Sequence, residues 1–127
     1  MKELEKKVYK HLKARNWHQL RPSDVAKSIM IEGAELLELF QWENLPLEEI
    51  KRDKKKVEQI KNELADVLIY AIEMAVLLGI DPEKIVRKKL VVVAKKYPAK
   101  LMRLRQGEPG TESAYWRIKR EHRKNPL

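Results

Sequence analysis

Five acidic residues in two short runs have the types and spacing to do chemistry: Glu32, Glu35 and Glu38, then Glu63 and Asp66. Within each run the spacing is three. On a helix that sets the side chains along one side, within reach of each other. Two such pairs on facing antiparallel helices would bring four carboxylates together. Packed that closely without a cation they would repel, and some would take up protons. Between Ser28 and Ile50 there is no Lys or Arg, and beside the second pair only Lys61 is near. A bound cation is the natural compensation, and all-oxygen ligands favour Mg²⁺, with Mn²⁺ as a substitute. One Glu-x-x-Glu on a helix is commonplace. Two acidic pairs, each in an apolar helix with a tyrosine or tryptophan one to two turns later, are far less common.

Other chemistries find little support. The chain has no Cys, which removes disulfides, thiolate nucleophiles and thiolate metal sites. A di-iron carboxylate bundle needs Glu-x-x-His, but Val8, Arg15 and Lys119 stand three residues before His11, His18 and His122. Neither a Gly-rich phosphate loop nor a Ser/His/Asp arrangement is present. The formal charge of +9 points to an anionic partner, either nucleic acid or a phosphate-bearing small molecule. Tyr115, Trp116, Arg117, Lys119, Arg120, Arg123 and Lys124 keep open an alternative, a basic helical module that binds nucleic acid. A second alternative is a non-catalytic nucleotide sensor with an intact metal site. No apolar run is long enough to span a bilayer and the first residues lack an apolar signal core. A cytoplasmic protein without membrane contact is the expectation.

The elements that must position these acids are helices. A first is expected from about Lys2 to Arg15, with Leu4, Val8, Tyr9 and Leu12 at helical spacing. A second, capped by Ser23 or Asp24, carries Val25, Ile29, Leu36, Leu37 and Phe40 and ends before Pro46. A single turn is allowed at Leu47 to Ile50. The third spans about Lys56 to Leu78 and stops at Gly79, a good residue just past a helix end. Asp81 caps the fourth, Pro82 begins it, and it ends before Tyr97-Pro98. Val91-Val92-Val93 could argue for a strand, but its flanks are helical in pattern. Together these give an all-α, four-helix-bundle-like fold of one domain over residues 1–102. A basic extension follows over 103–127, with a breaker cluster at Gln106 to Gly110 and a short helix from about Glu112 to Lys124. On the third helix Leu64, Val67, Leu68, Ala71 and Ala75 fill one arc and Ile69, Ile72 and Val76 the next, leaving Glu63, Asp66, Tyr70 and Glu73 on the remainder. An arc that wide implies burial on two sides, in a homo-oligomer or as a central helix.

The run from Glu32 to Trp42, followed by Glu63-Leu64-Ala65-Asp66-Val67-Leu68-Ile69-Tyr70, resembles the signature of MazG-like nucleotide pyrophosphohydrolases, nearest the small branch that includes dCTP pyrophosphatases. The likeness covers roughly Leu12 to Leu101. It implies an all-α homodimer or homotetramer that converts a nucleoside triphosphate to the monophosphate and pyrophosphate, in nucleotide-pool house-cleaning. Glu32, Glu35, Glu63 and Asp66 would then hold Mg²⁺, and Glu38 would be a further ligand, a base orienting water, or a surface residue. Trp17, Trp42 and Tyr70 match positions that hold base and sugar, though each could equally be core. Lys89 and Lys96 are candidate phosphate contacts. Position 21, near the base pocket, is Arg where some relatives have His. Val93 replaces a polar residue, often Asn, and Val91 an acidic one, so the nucleotide preferred does not carry over.

Overall fold

The computed structural model describes residues 1–103 and 114–124. They form seven helices and no strand among the described residues: α1 (Lys2–Ala14), α2 (Pro22–Glu38), α3 (Leu47–Arg52), α4 (Lys54–Leu77), α5 (Pro82–Lys96), α6 (Ala99–Arg103) and α7 (Ala114–Lys124). The all-helical expectation holds, and the valine run is helical. The chain divides into two compact units, Met1–Pro82 and Glu83–Leu127. This division by compactness is distinct from the one at residues 102 and 103 expected from the extent of the family likeness.

In the first unit α4 is the spine, and α1, α2 and α3 all pack on it. Val8 and Leu12 of α1 are buried against Ile72 of α4, with Val76 and Leu77 closing over them. Val25 anchors α2 and is 2% exposed. Lys56, at the start of α4, donates to the carbonyl of Leu39 just past the end of α2, while Ser28 near the start of α2 hydrogen-bonds Tyr70. The two helices are therefore antiparallel, as the acidic pairs require.

The helix ends differ from expectation in informative ways. Neither Ser23 nor Asp24 caps α2. Both lie inside it, because Pro22 already supplies the helical φ and has no N–H to satisfy, and extended Arg21 precedes it. The Asp24 N–H donates to the Arg21 carbonyl at 3.0 Å. The same helix stops at Glu38, short of Phe40, where the Lys56 ammonium donates to the carbonyl of the capping Leu39 and lies 5.4 Å from the Phe40 ring. Helix α4 starts two residues earlier than expected, since the Asp53 side chain accepts from the Lys56 N–H at 3.1 Å and caps it. At its far end Gly79 has φ +67. That left-handed turn lets the Ile80 N–H return to the Ala75 carbonyl at 2.8 Å.

In the second unit Tyr97 closes α5, α6 follows unforeseen after Pro98, and α7 packs on α6. Ile118 is buried, and Tyr115 stacks on Tyr97 at 5.0 Å. The breaker cluster at 106–110 and the expected helix start at Glu112 lie outside the described residues. Charge separates along the chain with the units. Residues 83–127 carry fourteen Lys and Arg against four Asp and Glu, whereas residues 1–82 carry fourteen against fifteen.

A candidate metal centre beside an apolar cavity

Where α2 and α4 pack, Glu32, Glu63 and Asp66 converge. One carboxylate oxygen from each lies within 4.8 Å of the others, and all three residues are half-buried. The helical spacing of Glu63 and Asp66 places both on the side of α4 that faces α2. The Glu63 Oε2 atom is buried with no hydrogen-bond partner, a costly state for an anionic oxygen unless a cation meets it. Lys61 does not meet it, since its ammonium pairs with Glu58 at 2.7 Å on the exposed surface. Glu35 lies outside the tight triad and is exposed, yet belongs to the same electrostatic cluster. Hydrogen bonding to Glu32 and the charge of Glu32 push its carboxyl above the ordinary range, burial and Glu38 add to this, and a hydrogen bond with Glu63 opposes it. A carboxyl that rises because its neighbours are carboxyls reports uncompensated negative charge. Hard oxygen donors, an orphaned buried oxygen and crowded anions fit a divalent cation.

Asp66 also lines a cavity of about 550 Å³ formed by α1, the connection after it, α2 and α4. Trp17 stands on its wall because Asn16 adopts a left-handed conformation, φ +58, which Asn tolerates better than most residues. The chain then turns back so that the Trp17 N–H reaches the Leu12 carbonyl at 2.8 Å, and the indole meets His11 edge-on at 6.2 Å. Tyr70 lines the same cavity. Burial, with the charges of Glu32, Glu73 and Asp66, raises its phenol, and the hydrogen bond with Ser28 lowers it. Glu73 is also there, only 3% exposed, and burial raises its carboxyl.

Of the residues singled out from sequence, Glu32, Glu63 and Asp66 come together, with Glu35 beside them and Trp17 and Tyr70 in the adjoining cavity. Glu38 is exposed and reaches the cluster through its charge on Glu35. Arg21 is exposed and does not line the cavity, and Trp42 is 88% exposed. Lys89 and Lys96 belong to the second unit, where the Lys96 ammonium lies 5.3 Å from the Tyr97 ring centroid. Sequence reasoning set Glu73 on the polar remainder of the third helix without giving it a task. The available signal was its position two turns beyond Asp66.

The MazG-like family matches residues 27–104, a segment that contains the whole acidic cluster. The chain is 33% identical over 94 residues to human dCTP pyrophosphatase 1 and 32% identical over 92 residues to the rat protein, covering 70% of this chain and 54% of theirs. It thus spans about half the length of these curated relatives. The crystal structure of a pyrophosphatase from Archaeoglobus fulgidus superposes with a TM-score of 0.67 at 36% identity, over 77% of this chain and 92% of that one. A match over most of the chain, with the same fold in a solved structure, leads to one conclusion: this chain belongs to the MazG-like family.

Proposed function

We propose that the chain hydrolyses a (deoxy)nucleoside triphosphate to the monophosphate and pyrophosphate, with Mg²⁺ held by Glu32, Glu35, Glu63 and Asp66. The observation that carries this reading is the convergence of Glu32, Glu63 and Asp66, one Glu63 oxygen orphaned, beside a cavity with aromatic walls. The relatives' names point the same way. When bound, the ion neutralises the triphosphate and activates a water for attack at the α-phosphorus. The water oxygen bonds to that phosphorus and gives up a proton to bulk solvent, the bond to the bridging oxygen breaks, and pyrophosphate leaves with that electron pair. Glu35, whose carboxyl is raised by hydrogen bonding to Glu32 and by the charge of Glu32, would serve as a further ligand to the ion. Glu38, one turn further on, orients the water or extends the ligand set. Trp17 offers its ring to the base and Tyr70 its phenol to the sugar. House-cleaning of the nucleotide pool in the cytoplasm is the role such an activity serves.

The working form is a homodimer or homotetramer. Supporting this are the apolar side chains exposed within one chain: Leu64, Leu68 and Ile69 on α4, Met30, Ile31 and Leu37 on α2, and Leu90 and Val91 on α5. Trp42 and Arg21 would reach nucleotide in that assembly, and Lys89 and Lys96 are kept as candidate phosphate contacts. The decisive experiment measures pyrophosphate release with Mg²⁺, with Mn²⁺ and with chelator, using dCTP first and then the other nucleoside triphosphates. No metal-dependent release from any of them sinks the reading. One second reading has an observation of its own: the Lys119 ammonium lies 5.4 and 5.5 Å from the Tyr115 and Trp116 rings on basic α7, an arrangement suited to stacked, single-stranded nucleic acid. Salt-sensitive binding without metal is its signature.

A further inference from the structure

Asp66, Tyr70 and Glu73 stand at positions i, i+4 and i+7 of α4, so they share one stripe of the helix, and all three line the same cavity. At about 1.5 Å of rise per residue the stripe runs roughly 10 Å from the acidic cluster to Glu73. Glu73 is buried, with 3% of its surface exposed. Among the described residues no hydrogen bond or opposite charge compensates for that burial, and burial alone displaces its carboxyl. Acids are almost never fully buried unless paired. A leucine would fill the position at less cost, so a carboxyl facing an open cavity is suited to a partner that arrives from outside.

We propose that Glu73 reads the base of the bound nucleotide, meeting the amidine edge of cytosine or adenine, a ring nitrogen beside an exocyclic amine. This rests on the reading of the chain as a nucleoside triphosphate hydrolase and deepens it to a substrate class. The stripe supplies the order. The acidic cluster at Asp66 sits with the phosphates, Tyr70 one turn on with the sugar, and Glu73 a turn beyond with the base edge, while Trp17 offers its ring to the base face. Burial favours the neutral carboxyl, which presents an O–H donor and a carbonyl acceptor side by side. The ring nitrogen of an amidine edge accepts the O–H and the amine donates to the carbonyl, so both groups are satisfied at once. Guanine offers either a carbonyl beside a ring N–H, the carbonyl a weaker acceptor than a ring nitrogen, or two donors at N1 and N2, which suit an ionised carboxylate that burial disfavours. Uracil and thymine offer a weakly basic carbonyl oxygen in place of the ring nitrogen. A weaker acceptor leaves the carboxyl less well paired, and the site discriminates by that difference.

The test compares the full chain with Glu73→Leu and Glu73→Gln, measuring kcat and KM for dCTP, dATP, dGTP and TTP with Mg²⁺, and binding of dCMP and TMP by calorimetry. The wild type is expected to favour dCTP or dATP over dGTP and TTP by at least about tenfold in kcat/KM. Glu73→Leu flattens that ranking by raising KM for the preferred nucleotide, with kcat little changed. Glu73→Gln restores the ranking, because a carboxamide presents the same donor and acceptor; a merely structural role would not follow base identity. An unchanged ranking in Glu73→Leu, a wild-type preference for dGTP or TTP, or a Glu73→Gln protein as indifferent as Glu73→Leu each overturns the inference. Should the wild type hydrolyse no triphosphate, the hydrolase reading fails by itself. Calorimetry then decides this one: tighter binding of dCMP than TMP that disappears in Glu73→Leu supports it, and equal binding overturns it.

Discussion

A carboxylate is informative when the protein around it leaves it without a partner, and two residues of α4 are so placed in different ways. The orphaned Glu63 Oε2 belongs to a crowd of acids. If the crowd holds a metal ion, replacing one of its acids removes a ligand without opening a hole, so Asp66→Asn is expected to keep its helical content while losing Mg²⁺ affinity or activity by at least the roughly hundredfold that loss of an outer-shell partner can cost. Mg²⁺ calorimetry beside the pyrophosphate assay checks both, and wild-type turnover would remove the assignment. Glu73 is alone instead, and its carboxyl is raised by burial above the ordinary value of 4.5. The folded state therefore holds its proton to higher pH than the unfolded state, and stability is lost as pH rises above 4.5 through the folded value. Glu73→Gln abolishes that loss. At pH 7 the variant should be the more stable of the two, because an amide cannot ionise and so escapes the pH-dependent penalty, and the advantage should fade toward pH 4.5. Denaturant midpoints at the two pH values decide it. At this scale the acids themselves were legible, since type and spacing are all that a helix needs to align them. Trp17 and Trp42 looked equivalent in the sequence. Only the left-handed Asn16 turn, a backbone fact without a sequence pattern of its own, brings Trp17 to the cavity while Trp42 stands in solvent.

Helix centres follow from periodicity and helix ends from single hydrogen bonds, which is why the four long helices were readable while both ends of α2 and the start of α4 were not. Asp53 looked like one more polar residue in a charged connection. It is the cap that starts α4, and Asp53→Ala should lower stability by about 1 kcal/mol, measurable as a shift of denaturant midpoint without change of slope. The stop of α2 at Glu38 was unreadable for a different reason. The group that terminates it, Lys56, comes from another helix seventeen residues away, and no local propensity encodes a tertiary contact. Helix α6 is only five residues long, too short to leave a periodic trace. Gly79, by contrast, was legible because a left-handed φ calls for one residue type above others.

For the whole molecule the width of the apolar arc on the third helix implied burial on two sides, in a homo-oligomer or as a central helix. The structure divides that arc. Ile72 and Ala75 are buried against the chain's own helices, whereas Leu68 remains 51% exposed. Leu68→Glu places a charge on the uncovered half. If a second copy covers it, light scattering should show the wild type as a dimer or larger and the variant as a helical monomer; identical masses would remove the proposed assembly. The segregation of charge has a consequence of another kind. With histidines neutral, residues 1–82 are one charge short of balance while residues 83–127 hold an excess of ten. A protease that cut between them would release two pieces that migrate toward opposite electrodes at pH 7. The strongly basic isoelectric point of the intact chain thus conceals a slightly acidic partner to its cationic third, and a single native gel of a limited digest would display the division.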